Sequence, residues 1–334
     1  MTKRFFSFIF LLMTLTTQNS CTLFQEKLFF PSSEEYNFKF RSWSTKDNSD
    51  ILILAIHGYN DYSFSFDKPA RLFSKFNIET ISFDLRGFGQ NSDHGEWFPL
   101  SVHVKDTNKI IKTIKKKNPN KRIFLLGESM GAAILVSLVN QNKNLPIEGV
   151  IFVAPAFWNA SESNPIKSFL FKSFSFVFPN IPLRGNSIVK VRPTDNLEML
   201  KIHSEDPFVV HAPKSRSVAG LVKLMDIAYE ESKIYLSAPH YKTLIVLPLI
   251  DEIVPRKPII KLLKKKQVAR NFNKKLFLFA YEKNFHMILR DLDGDRISRE
   301  IKEWILDNNS TIDFHTSRNV IQKLENTIFF HKLD

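Results

Sequence analysis

Six consecutive apolar residues, Ile51 to Ile56, stand out against a chain in which polar and apolar positions are otherwise mixed. A run this short, with no polar alternation, predicts a strand covered on both faces. The same style recurs at Ile78 to Phe83, Ile123 to Leu126, Val150 to Ala154, Leu244 to Leu247 and Leu276 to Ala280. Tyr36 to Trp43 differs, because Tyr36, Phe38 and Phe40 alternate with polar residues and predict a half-buried strand. Helical spacing fills the intervals, as in the stretch containing Val102, Asp106, Ile110, Ile111 and Ile114. Buried strands separated by helices predict an α/β fold with a mostly parallel sheet flanked by helices.

One segment breaks this rhythm. From about 157 to 242 no buried strand appears, and Phe, Ser and Pro accompany helical patterns: Leu170, Phe174, Val177 and Phe178 share one face, and Leu221, Leu224, Met225 and Ala228 another. An insertion between two strands of an open sheet lies over the strand ends, where such sheets bind ligands, so the segment reads as a helical cap and its first apolar face as a substrate-binding surface. No internal repeat and no Gly or Ser linker divides the chain. The economical reading is one domain over 36–306 with the cap inside it, an N-terminal linker over 21–35 and a polar tail over 307–334.

The N-terminus carries a different pattern. Lys3 and Arg4 precede an apolar run from Phe5 to Leu15, and small or polar residues follow to Ser20. That order is that of a secretory signal, and the run is shorter than the about 20 residues of a membrane-spanning helix. Ser20 directly before Cys21, the only cysteine, resembles a bacterial lipoprotein signal, although Gln18 stands where that pattern has an aliphatic residue. The expectation is a signal peptide over 1–20, lipid attachment at Cys21 and a membrane-anchored protein of the cell envelope. A frayed apolar N-terminus on a cytoplasmic protein is the competing reading.

Composition narrows the classes. The 334 residues are 43% hydrophobic and 24% charged, an ordinary globular balance that excludes disorder, collagen and small disulfide scaffolds. A lone cysteine permits no internal disulfide and no cysteine zinc cluster. Lys and Arg number 47 against 34 Asp and Glu, a net +13; no nucleic-acid reader motif accompanies this charge, so no nucleic-acid partner is expected. Lys115 to Lys117 and Lys264 to Lys266 end helical patterns, where cations meet the helix dipole favourably.

The chemistry concentrates in three places. Gly127-Glu128-Ser129-Met130-Gly131 follows an apolar strand and precedes the helical run Ala132 to Val139. This is G-x-S-x-G in the strand, turn and helix setting of a nucleophile elbow, with Ser129 as nucleophile. A serine needs a base, and the base a carboxylate that fixes its tautomer. Asp251 follows the strand Leu244 to Leu247, and His286 follows Leu276 to Ala280, which is the required chain order. Glu252 competes with Asp251; the aspartate is shorter and lies where the strand should end. Backbone N–H groups of Met130 and of Tyr59, in the loop after Ile51 to Ile56, are the expected oxyanion donors. His57 reads as orienting that loop, and His94, His103, His203 and His211 as structural or surface residues.

These motifs resemble the α/β-hydrolase family, and specifically its monoacylglycerol lipase and lysophospholipase branch, with its serine aminopeptidase S33-type hydrolase domain. The similarity extends to Asp84-Leu85-Arg86-Gly87-Phe88-Gly89, to Asp251-Glu252-Ile253-Val254-Pro255 and to His286-Met287-Ile288-Leu289-Arg290-Asp291, over roughly 36 to 306. The resemblance implies an eight-stranded sheet, a cap between two late strands, and hydrolysis of lipid acyl esters by a Ser-His-Asp triad through an acyl-enzyme, without cofactor. Pro248 and Asn284 depart from it, standing where the family has glycines before the acid and the histidine. Asn tolerates positive φ, whereas Pro does not. An aminopeptidase-like hydrolase, or an inactive envelope-associated binding protein, are the alternative readings. Asp291, Asp293, Gly294 and Asp295 superficially resemble a calcium loop, yet position 12 of such a loop would be Lys302 rather than Glu. No metal is expected; these residues read as the start of the last helix.

Overall fold

The computed structural model describes residues 36–44, 49–183, 191–272 and 274–307. The apolar runs become strands β1 (Phe40–Trp43), β2 (Ile51–Ile56), β3 (Ile78–Phe83), β4 (Arg122–Glu128), β5 (Gly149–Val153), β6 (Lys242–Pro248) and β7 (Leu276–Tyr281). They form one seven-stranded sheet in the order β1-β3-β2-β4-β5-β6-β7. Only β1 runs antiparallel, beside β3; every other pairing is parallel. The described residues therefore hold seven strands where the resemblance implies eight. The edge strand is also shorter than Tyr36 to Trp43. A turn bond from Phe38 N–H to the Tyr36 carbonyl interrupts its start, and the Tyr36 ring instead meets Phe38 and Arg86.

Because both faces are covered, alternate residues of one strand enter different cores. Leu52, Leu54 and Ile56 of β2 join the core formed with helices α2 (Leu100–Lys117), α3 (Met130–Gln141), α7 (Ser215–Ser237) and α8 (Arg256–Leu263). Ile51, Ile53 and Ala55 join the opposite core, with α1 (Asp67–Ser74) and α10 (Gly294–Ile305). Each fully buried Leu or Ile stabilises by about 1.5–3 kcal/mol, which is why the six-residue run admits no polar position. Lys115 to Lys117 do close α2, while Lys264 and Lys265 lie between α8 and the short α9 (Lys266–Ala269), which Lys266 opens.

The inserted segment contains α4 (Ala160–Ser163), α5 (Pro165–Val177), α6 (Leu197–Glu205) and α7. It divides into two kinds of packing. Leu224, Met225 and Ala228 of α7 are buried against the sheet-covering helices, and α7 lies along α3. By contrast α5, capped by Asn164, buries only Ser175. Leu170, Phe174, Val177 and Phe178 are all exposed, Val177 by 63%, and Phe178 caps the helix rather than lying within it. Among the described residues no helix is long and apolar enough to cross a membrane. Residues 1–35 and 308–334, including Cys21, lie outside the described residues.

Candidate active site

The loops after β2, β4, β6 and β7 gather the candidate residues at one end of the parallel strands. Ser129 stands between β4 and α3 with φ 54° and ψ −113°. A side chain held in this left-handed region costs about 1–3 kcal/mol and persists only where the surroundings enforce it. Here β5 does so: Ser129 N–H donates to the Val153 carbonyl at 2.9 Å, and the Ser129 carbonyl accepts from Ala156 N–H at 3.2 Å. The flanking glycines are required by space. A Cβ on Gly131 would lie 2.0 Å from the Ile56 carbonyl oxygen, and one on Gly127 2.6 Å from Ala132 N. Met130 opens α3, so its N–H is among the first-turn donors that have no acceptor within the helix.

The loop after β2 is held by His57. Its Nδ1 contacts the Gly58 carbonyl at 2.8 Å, and Nε2 accepts from Leu85 N–H at 2.9 Å. Nε2 is then the acceptor and Nδ1–H the donor, which makes the ring neutral; burial also depresses its pKa. Tyr59 follows, its ring against Phe88 and Trp97 and its hydroxyl donating to Ser217 Oγ on α7 at 2.9 Å. Gly58 faces the nucleophile directly, since a Cβ there would sit 3.4 Å from Ser129 Cβ.

His286 and Asp251 meet. Nδ1 of His286 and Oδ2 of Asp251 are 2.7 Å apart, and Oδ1 of Asp251 accepts from Ile253 and Val254 N–H, both at 2.8 Å. Glu252 points elsewhere, exposed, and accepts from Arg192 N–H. Burial by itself would depress His286, but the Asp251 charge and hydrogen bond, with the Glu128 charge, carry its pKa above the ordinary histidine value. Neither Pro248 nor Asn284 occupies positive φ. The acid and histidine loops thus need no glycine there; Asn284 instead donates from Nδ2 to Asp291 Oδ2 at 3.1 Å. Among the described residues no hydrogen bond joins Ser129 Oγ to His286.

Asp291 does not begin the last helix. Its buried carboxylate accepts from Thr194 Oγ1 at 2.7 Å and Phe285 N–H at 2.8 Å, organising the histidine loop. Sequence reasoning also missed three buried charges. Arg290 donates to Asp61 at 2.7 Å and to Glu128 at 3.1 Å, and His203, read as structural or surface, lies 3.8 Å from Asp61. The only signal was the placement of these charges beside motif residues. A cavity of about 130 Å3 opens beside them, walled by Tyr62, Met199, Ile202 and His203. Among the described residues no group of three or more His, Cys, Asp or Glu could hold a metal ion.

A mostly parallel sheet with a strained serine elbow and a paired His and Asp on the loops after its last strands defines an α/β-hydrolase. The chain matches the family described as Serine aminopeptidase, S33 over residues 47–293, and it belongs to that family. It is 29% identical to the monoglyceride lipase of Rattus norvegicus over 177 residues, a match that covers 52% of this chain and 56% of the relative. With the monoglyceride lipase of Mus musculus it is 27% identical, covering 79% of this chain and 85% of the relative. The monoacylglycerol lipase structure from Paleococcus ferrophilus superposes with a TM-score of 0.66 at 19% identity, covering 81% of this chain and 99% of the other, and confirms the fold.

Proposed function

We propose that this serine ester hydrolase cleaves acyl esters of lipids, a monoacylglycerol or a lysophospholipid, through a triad of Ser129, His286 and Asp251. The observation that carries the reading is the 2.7 Å contact between His286 and Asp251, at the same end of the parallel strands as a serine held at φ 54°. Ser129 Oγ attacks the acyl carbonyl as His286 Nε2 takes its proton. Asp251 holds the tautomer and stabilises the imidazolium. The tetrahedral oxyanion accepts hydrogen bonds from Tyr59 and Met130 N–H, in a site where such donors are worth far more than in water. Collapse expels the alcohol, protonated by His286, and leaves an acyl-enzyme; water attacks it by the same proton route in reverse. The monoglyceride lipases among the relatives support the lipid substrate.

The test is labelling with a fluorophosphonate, together with a hydrolysis panel of monoacylglycerols, lysophospholipids, short esters and aminoacyl amides. Ser129→Ala should abolish labelling and lower turnover by roughly 10⁴-fold to 10⁶-fold, because triad members act as a unit. Undiminished hydrolysis by this variant would remove the triad reading. Preference for aminoacyl amides would replace the lipid substrate with a peptide one.

A further inference from the structure

Four positions beyond His286, Arg290 is enclosed with two carboxylates and is almost without solvent contact. Its Nη1 donates to Asp61 Oδ2 at 2.7 Å and its Nη2 to Glu128 Oε2 at 3.1 Å. Asp61 also accepts Tyr62 N–H on Oδ1 at 2.9 Å, with His203 behind it at 3.8 Å. Each member of the cluster comes from a different segment of the site. Asp61 lies two residues past Tyr59, Glu128 immediately precedes Ser129 and Met130, and Arg290 sits on the loop that carries His286.

Stability alone gives no reason for this arrangement, since a buried ion cluster is often no better than well-packed apolar residues of the same volume. Arg290 Nε and Glu128 Oε1 even lack hydrogen-bond partners. What a guanidinium does supply is a planar, rigid fork whose two arms fix the separation of two acceptors. A fork anchored on Asp61 and Glu128 sets the distance between the loop bearing the Tyr59 N–H and the turn bearing the Met130 N–H. Its own backbone sets the distance of both from His286.

We propose that Arg290 is a positioning residue that acts through Asp61 and Glu128 to hold the two oxyanion donors and His286 in register. The proposal rests on the triad reading above. A displacement near 1 Å at such a site costs on the order of 100-fold in rate.

Its test uses the full chain, a medium-chain p-nitrophenyl ester, and fluorophosphonate titration carried to completion, so that kcat is expressed per reactive serine. Arg290→Gln and Arg290→Lys should each lower kcat per titrated site by about 100-fold with KM within about threefold of the wild type. Lysine should recover thermal stability lost in the glutamine variant without recovering kcat, because a point charge cannot replace the fork. Asp61→Asn and Glu128→Gln, each removing one arm's charge, should lower kcat per site by about tenfold. If Arg290→Gln does not fold, these two variants decide. Wild-type kcat per site in Arg290→Lys, or in both single-arm variants, overturns the proposal, as does a loss confined to the number of titratable sites. Ser129→Ala separates the two ideas: an inactive Ser129→Ala beside a fully active Arg290→Lys defeats the clamp alone, whereas an active Ser129→Ala defeats both.

Discussion

His286 is the residue whose surroundings say most about how the site works. Burial pushes it toward the neutral form, while Asp251 and Glu128 hold the cation, and the balance raises its pKa. In the proposed triad the base must be neutral to accept the serine proton, so activity should rise with pH through this raised value. The acid limb of kcat/KM, which reports the free enzyme, should have its midpoint above the ordinary histidine value of about 6.5. Stability runs the other way. With the folded pKa raised, the His286 contribution is complete below the unfolded value and is lost as pH rises through the folded one. Asp251→Asn should move the midpoint down and lower turnover by roughly 10³-fold to 10⁴-fold, and Glu252→Gln should change neither. The reverse outcome, a silent Asp251→Asn with a damaging Glu252→Gln, would show that the acid is misassigned.

Among the elements, α5 inverts the usual arrangement of a helix on a globular surface. Ser175 faces inward, while Phe176 is 88% exposed and Leu170, Val177 and Phe178 lie open with it. An acyl chain laid along such a surface gains about 0.8 kcal/mol for each methylene buried. Two added carbons should then raise kcat/KM by roughly tenfold while apolar surface is left to cover. Leu170→Ser with Phe174→Ser should flatten this dependence and leave acetyl ester hydrolysis unchanged. Equal kcat/KM for acetyl and decanoyl esters in the wild type would remove the substrate role assigned to Leu170, Phe174, Val177 and Phe178.

For the whole molecule, we propose export and lipid anchoring from the N-terminal pattern; removal of residues 1–20, with Lys3 and Arg4, would lower the net charge from +13 to +11. Several acyl chains on Cys21 would anchor the enzyme firmly, whereas one chain binds a membrane only marginally, and basic charge favours anionic head groups. The exported, lipid-anchored reading predicts that labelled palmitate enters the wild type and not Cys21→Ser, and that the variant leaves the membrane fraction or stays uncleaved. An intact, unacylated Met1 to Asp334 chain in the cytosol would defeat export and lipidation together, without touching the site.

What could be read from the chain alone is what short-range chemistry dictates. The two-sided burial of β2 follows from an uninterrupted apolar run, and the Ser129 elbow from a strand, two glycines and a helix within a few residues, each imposing the next. The chain order of the proposed triad, Ser129, Asp251 and His286, is legible for the same reason, since each follows a recognisable strand. Tertiary structure decided the rest, because only the packed chain juxtaposes distant residues. It turned Asp251 rather than Glu252 toward His286, drew α7 out of the inserted segment onto α3, and left α5 exposed. Most plainly, it joined Arg290 to Asp61 across 229 residues of sequence. No periodicity marks such a pair, for charges so far apart read as ordinary surface residues until folding removes the water between them.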